Sequence, residues 1–177
     1  MGQFFLPPLL RAVPGMPTFR DYDSRDQEAC LGIFDSNVPE YFAANERAEY
    51  EKFLNNLPGA YLVVEDHGSI VACGGFARHK SEPGAALLCW GMVTRERHGT
   101  GLGRQLLAER LRRLAGDDSV DVIVANTSQL TEGFYSKRGF TTHRIFKDGI
   151  RPGLDSREMR LQLGPVPWNT WIGLGPL

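Results

Sequence analysis

Several signatures of specialised proteins are missing from this sequence of 177 residues. Its 20 basic and 21 acidic residues nearly cancel and form no run of one sign, which argues against a nucleic-acid surface. The longest uninterrupted apolar stretch, residues 85–93, is far short of the ~20 residues that span a bilayer. The apolar N-terminus lacks the basic start of a signal peptide and is interrupted by Pro7 and Pro8. We therefore expect a soluble protein with neither nucleic-acid nor membrane partners.

Cysteine is scarce as well. The three cysteines, Cys30, Cys73 and Cys89, cannot all pair within the chain, and no CxxC spacing marks a metal site. Cys73 and Cys89 lie in apolar runs, where a cysteine usually packs as a small hydrophobic residue. These features favour reduced thiols in a cytoplasmic protein that holds no metal.

What is present fits one globular domain. Apolar residues make up 42% of the chain and charged residues 23%, an ordinary balance for a domain of this length. Residues 1–17 are rich in proline and form an N-terminal arm, residues 18–163 form the domain, and residues 164–177 form a C-terminal tail without periodicity. The tail's Trp168 and Trp171 either pack on the domain itself or lie in the interface of a homodimer.

The first half of the domain is predicted to contain two helices followed by a meander. The helices cover residues 26–34 and 46–57, with Asn45 as the N-cap of the second. Three strands follow, at residues 61–64, 69–77 and 85–93. The turns between them are so short that neighbouring strands must run antiparallel.

The second half changes from a period of two to a period of 3.6. Its helix carries a leucine stripe formed by Leu102, Leu106, Leu107, Leu111 and Leu114. A buried strand at residues 120–125 should lie parallel to the last meander strand through a right-handed crossover. A short helix at 129–137 ends at Gly139, and strands 141–147 and 158–163 close the domain. The predicted fold is a mixed α/β sheet: an antiparallel meander, a β-α-β crossover and a C-terminal hairpin.

A glycine-rich turn opens the leucine-striped helix. Gly99, Gly101 and Gly103 alternate there, and glycine lets a ligand approach the backbone closely. The first amides of a helix have no intrahelical partner and lie at the positive end of its dipole, so the turn suits a phosphate or pyrophosphate.

Other interpretations of this turn compete. A P-loop would require a lysine followed by Ser or Thr, and a Rossmann turn would require GxGxxG between parallel strands, whereas the spacing here is GxGxG after a meander strand. A pyrophosphate loop for coenzyme A fits the predicted strand and helix. The glycines could also form only a tight turn from strand to helix.

A second motif lies some 30 residues further on. The run FYSKRGF, residues 134–140, closes the short helix, and its Tyr135 could project toward a ligand held between the two parallel strands. With MVTRERHGTGLGR at residues 92–104, this ordered pair of motifs resembles the GNAT superfamily of N-acyltransferases. The resemblance covers residues 17–163.

The resemblance implies an N-acetyltransferase that uses acetyl-CoA as cosubstrate and acts by direct attack of a primary amine through a tetrahedral intermediate. The acceptor would be a small molecule or a peptide. Tyr135 would protonate the leaving thiolate, and a Met92 or Val93 amide would stabilise the oxyanion. The implied acetyl-CoA-binding residues are Met92, Val93, His98, Gly99, Thr100, Gly101, Leu102, Gly103 and Arg104. His98 stands where the family usually has Gln or Arg.

No general base is assigned from the sequence. The strand before the loop contains no carboxylate, and the candidates elsewhere are more typical of solvated surfaces: Asp35, Glu40, Glu65 and His79. The resemblance places acceptor recognition in the loop between the first two helices, at residues 35–37 and 40–41, and in the last hairpin, at residues 148–153. Two alternatives stay open, a catalytically silent acyl-CoA-binding module and another nucleotide-binding domain that shares only the glycine turn.

Overall fold

Seven strands form one mixed sheet in the computed structural model, which describes residues 16–164. In chain order the strands are β1 (Thr18–Asp21), β2 (Ala60–Asp66), β3 (Ser69–Arg78), β4 (Ala85–Val93), β5 (Val122–Ser128), β6 (Thr141–Arg151) and β7 (Leu154–Gln162). Their order across the sheet is β1-β2-β3-β4-β5-β7-β6. The helices are α1 (Gln27–Ser36), α2 (Arg47–Asn55), α3 (Leu102–Leu114) and α4 (Glu132–Ser136).

The alternation of apolar residues in β2 divides the core between the two faces of the sheet. Tyr61 and Val63 pack with α1 and α2, whereas Leu62 and Val64 pack with the start of α3. This is the expected result of a two-residue side-chain period in a strand buried on both faces.

The predicted fold is confirmed. Strands β2, β3 and β4 form the antiparallel meander, α3 crosses over to β5, and β5 lies parallel to β4 with Ala85 opposite Val122. Strands β6 and β7 form the closing antiparallel pair. The ends of β4 agree with the prediction, because its apolar run is followed by polar residues at Thr94 and Arg95. The predicted leucine stripe, Leu102 to Leu114, spans the observed α3.

Other element boundaries differ from the prediction. Strand β5 begins and ends later than residues 120–125, the hairpin strands are longer than predicted, and α4 is shorter than residues 129–137. Asn45 does not cap the second helix. A 3₁₀ turn, Ala44–Glu46, starts earlier, because the Glu46 carboxylate accepts a hydrogen bond from the Ala43 amide at 2.6 Å.

Strand β1 is absent from the sequence prediction. It pairs antiparallel with β2, with Arg20 opposite Val63, and forms one edge of the sheet. Both Arg20 Nη atoms donate to the Asp26 carboxylate at 2.7 and 2.8 Å, and the Asp23 amide donates to it at 2.9 Å. This ion pair ties the edge strand to the start of α1, a long-range contact that local periodicity does not reveal.

The predicted arm and tail fall mostly outside residues 16–164. Trp168 and Trp171, on which the homodimer prediction rested, are among the residues that the structure does not describe. Among the helices within residues 16–164, none combines the length and apolar character needed to cross a membrane.

We expect Asp26→Asn to destabilise the fold by about 2 kcal/mol at pH 7, since it removes the charge from a largely buried hydrogen-bonded carboxylate. The hydrogen bonds from Arg20 hold the pKa of Asp26 below its usual value. This stabilisation is therefore complete above the unfolded-state pKa of about 3.9 and is lost as the pH falls through the lower folded-state pKa. Urea unfolding should show a difference from the wild type that shrinks between pH 7 and pH 3. The exposed Asp118→Asn is the control and should change little.

Candidate functional site

A cleft opens between the two central strands of the sheet. The parallel ladder between β4 and β5 ends at Leu88 and Ala125. Beyond that pair, β4 continues along β3 and β5 continues along β7, so the two strands diverge. Gly91 and Asn126 are exposed although they belong to central strands. The facing edges of β4 and β5 thus present backbone groups that a bound molecule could pair with.

A β-bulge in β4 marks the start of the divergence. Residues 73 and 75 of β3 pair with residues 92 and 89 of β4, so β4 carries one extra residue at Trp90–Gly91. Trp90 has a φ of 38°, a backbone conformation that residues other than glycine rarely adopt. Its carbonyl accepts a hydrogen bond from the Tyr61 hydroxyl at 3.0 Å. Bulges bend the strand that carries them and often lie beside active sites.

The Trp90 ring is held in an aromatic cluster on the α1 and α2 side of the sheet. Its centroid lies 4.9 Å from that of Tyr50, 5.9 Å from Phe42 and 6.2 Å from Phe34. These contacts fix the position of the Trp90 ring and thereby stabilise the strained backbone conformation of this residue.

Backbone alternation distinguishes Met92 from Val93. The Thr94 amide donates to Val71 on β3 at 2.9 Å, so the amides of residues 92 and 94 point toward β3. The Val93 amide then points to the opposite edge of β4, toward the cleft. Of the two residues predicted to contact acetyl-CoA through the backbone, Val93 has the amide available to a ligand.

The glycine-rich turn has the geometry of an anion site. Gly99 and Gly101 have φ values of 78° and 88°, and an added Cβ at either would meet no atom within 4 Å. Gly101 is the N-cap of α3, and no side chain among residues 16–164 caps this helix. The amides of Leu102, Gly103 and Arg104 therefore have no helical acceptor and face an open surface.

His98 points away from this open surface. Its Nε2 lies 3.1 Å from the Val93 carbonyl, and its ring packs edge-on against Tyr41 with centroids 5.3 Å apart. A carbonyl can only accept, so Nε2 must donate, and in the neutral ring Nδ1 then has no proton to offer a phosphate. Arg97 is also engaged elsewhere, since its Nη2 donates to Asp66 at 2.5 Å.

Positive charge near the turn comes instead from Arg104 and Arg138. Burial and the nearby Arg104 charge lower the pKa of Arg138, whose guanidinium stacks 4.0 Å from the Phe134 ring centroid. Within residues 16–164 neither arginine has a carboxylate partner. Two adjacent cations of this kind favour an anionic ligand.

The two predicted motifs meet at the first turn of α3. An added Cβ at Gly103 would lie 3.6 Å from Val93 Cγ2 and 3.7 Å from Phe134 Cε2, so strand, helix and second motif are in contact there. Tyr135 is half-buried beside Phe134 and Phe140, with ring centroids 5.1 and 5.3 Å away. Gly139 has a φ of 84°, which is the left-handed helix end that the sequence predicted.

The candidate bases identified in the sequence are engaged or distant. Asp35 pairs with Arg47 at 2.9 Å, Glu40 pairs with Arg95, and Glu65 pairs with Arg20 at 3.3 Å. The His79 amide donates to Ala85 at the start of β4, which is the opposite end of that strand from the cleft.

The two predicted acceptor loops are brought together at the cleft end of the sheet. Arg151 Nη2 donates to the Pro39 carbonyl at 3.0 Å and joins the β6–β7 hairpin to the segment after α1. Asn37, which was predicted to face the acceptor, is instead buried. Its Nδ2 donates to the carbonyls of Ile33 and Val93, both at 2.9 Å, and so fixes the end of β4.

Arg110 is a buried residue near the cleft that sequence reasoning missed. It lies on the leucine stripe of α3, one turn after Leu106 and one turn before Leu114, and is 2% exposed. An arginine at a stripe position was the signal that could have identified it.

We expect Asn37→Asp to lower the free energy of unfolding by about 2 kcal/mol, because a carboxylate at this buried position would face two carbonyls without a proton to donate. Chemical denaturation at pH 7 measures the effect. Asn45→Asp makes the same change at an exposed position and should be nearly neutral. Equal stabilities of the two variants would contradict the role given to Asn37.

Comparisons with known proteins agree with this geometry. Residues 58–142 match the family model described as the acetyltransferase (GNAT) domain. A protein from Desulfovibrio desulfuricans assigned to the GNAT family of acetyltransferases has the same fold, with a TM-score of 0.72 and 22% identity over 84% of this chain and 100% of its own. A search of curated proteins found no match.

Two further solved structures with this fold contain acetyl-CoA or coenzyme A. The Salmonella typhimurium protein yncA, solved with acetyl-CoA, has a TM-score of 0.63 and 23% identity over 86% of this chain and 96% of its own. An aminoglycoside 6′-N-acetyltransferase complexed with coenzyme A has a TM-score of 0.69 and 13% identity over 85% of this chain and 99% of its own.

Proposed function

We propose that this chain, a member of the GNAT superfamily of acetyltransferases, moves the acetyl group of acetyl-CoA to a primary amine. The observation that carries the proposal is the cleft between β4 and β5, which opens beside the uncapped amides of α3. A phosphate site at one end and unpaired strand edges along its length suit an extended ligand that carries a pyrophosphate.

In this proposal the pyrophosphate is bound by the backbone of residues 99–104, with Arg104 adding charge. Thr100 contributes its amide, since its hydroxyl already donates to the Arg97 carbonyl at 2.7 Å. Leu102 is 3% exposed and anchors the turn to the core. His98 supports the loop through Val93 and Tyr41 rather than through a phosphate contact.

The proposed chemistry uses the protein mainly to orient groups and to stabilise charge. The acceptor nitrogen attacks the thioester carbonyl, and the Val93 amide donates to the oxygen as it becomes anionic. As the C–S bond breaks, Tyr135 donates its proton to the sulfur. A thiol has a pKa of about 8.5 and a tyrosine of about 10, so this proton transfer is only modestly uphill.

The acceptor is proposed to be an amine on a small molecule or a peptide. Related proteins of this fold include an enzyme that acetylates aminoglycosides. The loops joined by Arg151 and Pro39 would form its binding site, above the aromatic cluster around Trp90. The three cysteines are buried free thiols, which supports a reducing, cytoplasmic location.

We expect saturating acetyl-CoA to raise the melting temperature of the protein, as any ligand of the native state does. Gly101→Ala should remove most of this shift, because alanine at a φ of 88° would disturb the turn that holds the pyrophosphate. Gly153→Ala is a matched control at a φ of 79°, also with nothing within 4 Å of the added Cβ. It should cost similar stability, about 1 kcal/mol, and keep the shift. The absence of any shift with the wild type would refute acetyl-CoA binding.

We expect Tyr135→Phe to lower kcat by about 100-fold while the affinity for acetyl-CoA stays within about threefold, since the hydroxyl acts only when the thiolate leaves. Release of free thiol across a panel of amine acceptors measures the activity. Tyr22→Phe makes the same change at another half-buried tyrosine, which packs against Tyr61 in the cluster with α1 and α2, and should leave kcat unchanged. Binding of acetyl-CoA without transfer to any amine would instead favour a silent acyl-CoA-binding module.

A further inference from the structure

The Arg110 guanidinium lies directly behind the bulge of β4. A Cβ built on Gly91 would be 2.8 Å from both Nη1 and Nη2, and a Cβ built on Gly74 would be 3.2 Å from Nη1. A Cβ at Gly91 would displace the guanidinium from this position, and a Cβ at Gly74 would also meet the Gly91 Cα at 2.9 Å. The two glycines thus leave room for the guanidinium between α3 and the sheet. The arginine and the bulge form one packed unit.

The charge of Arg110 has no compensating anion within residues 16–164. Its Nε and Nη1 atoms are buried, and in the part of the chain that the structure describes they make no hydrogen bond and no carboxylate pairs with the guanidinium. Moving a cation from water into a protein interior costs several kcal/mol unless it is paired. An arginine kept in this state is a strong indication that a ligand supplies the missing negative charge.

Two titratable groups, Cys89 and Cys73, feel the charge of Arg110. Burial raises the pKa of Cys89 to about 11, so its thiol is neutral at physiological pH. Cys73 lies on the opposite face of the sheet with Tyr50 and Tyr61. Burial opposes its ionisation, while hydrogen bonds from Cys30 and the tyrosines, together with the Arg110 charge, bring a net fall of its pKa. Cys73 is therefore the alternative partner that a test must separate.

The guanidinium is close to the proposed reaction centre. Gly91 is exposed in the cleft on one side and lies against Arg110 on the other. Two residues further along β4 is Val93, whose amide is proposed to stabilise the oxyanion. Only the thickness of the Gly91 backbone separates the buried cation from the space between β4 and β5. A buried cation beside the cleft acts on charge that develops there, because protein atoms screen the interaction less than bulk water does.

We propose that Arg110 is an electrostatic element of the acyl-transfer site, whose buried cation stabilises the negative charge that gathers on the CoA sulfur. This inference rests on the proposed function. When the amine nitrogen forms its bond to the acetyl carbon, the C–S bond breaks and its electron pair moves to the sulfur. The nitrogen loses one proton to solvent, Tyr135 delivers one proton to the sulfur, and Tyr135 then takes up a proton from solvent, so that the protons balance. Arg110 gives up no proton in this sequence and acts through its charge alone.

The test measures how the affinity for free CoA depends on pH, which requires no knowledge of the acceptor. If Arg110 favours the thiolate, the wild type should bind CoA about tenfold more tightly at pH 9.5 than at pH 6.5, across the thiol pKa of about 8.5. Desulfo-CoA has no thiol, so its affinity should not gain in this way. In Arg110→Met the increase in CoA affinity from pH 6.5 to pH 9.5 should fall below about twofold. Arg110→Lys should keep most of this increase.

Three further variants control the measurement. Arg112→Met removes an exposed charge from the same helix and should keep the pH dependence. Cys73→Ala should also keep it. Arg110→Gln is a second uncharged variant in case methionine impairs folding. Arg110→Met should melt at the same temperature as the wild type or higher, because it removes an uncompensated buried charge.

The results separate this inference from the proposed function. No binding of CoA to the wild type refutes the proposed function itself. Binding of CoA with the same pH dependence in Arg110→Met as in the wild type overturns only the role of Arg110. A pH dependence that is lost in Cys73→Ala but kept in Arg110→Met and Arg110→Gln would also overturn the role of Arg110. A melting temperature several degrees lower for both uncharged variants would show that Arg110 is a structural residue.

Discussion

The divergence of β4 from β5 is the constraint on which the rest of the site depends. Parallel strands that begin pairing usually continue, because each unpaired backbone group away from water is costly. Here pairing stops after Leu88 and Ala125, and the bulge at Trp90–Gly91 turns β4 away. The aromatic cluster holds Trp90 on one face, and the Gly91 backbone rests on Arg110 on the other. The cleft is thus built into the core of the sheet, whereas the loops only complete its ends.

Charge is distributed unevenly around this cleft although the whole chain has a net charge of −1. Arg95 and Arg97 precede the glycine-rich turn in sequence, and they are neutralised by Glu40 and Asp66, respectively. Cations without a carboxylate partner, within residues 16–164, surround the cleft instead: Arg104, Arg110 and Arg138. The fold therefore concentrates uncompensated positive charge where an anionic ligand would lie, an arrangement that net charge and composition conceal.

Much of the fold could be predicted because periodicity is a local property. Strand β4 was predicted with its observed ends from a continuous apolar run, and α3 was predicted from a leucine stripe with a period of 3.6. Strand β1 was missed because four residues carry little pattern and are held by the Arg20–Asp26 pair. Asn37 looked like a loop residue suited to substrate contact, yet its side chain is buried between α1 and β4. Such contacts join distant parts of the chain and have no local signature.

The sequence by itself determined the glycine-rich turn, the tyrosine motif and the order of elements that places them on neighbouring strands. Those features follow from backbone conformation and hydrophobic period, which neighbouring residues set. The tertiary structure alone decided which groups near the turn are free. It engages His98 and Arg97 elsewhere and selects the Val93 amide over that of Met92. Among the residues it describes, it leaves Arg110 without a partner behind Gly91. Which charged and hydrogen-bonding groups pair with one another depends on distances across the fold, and spacing along the chain does not determine those distances.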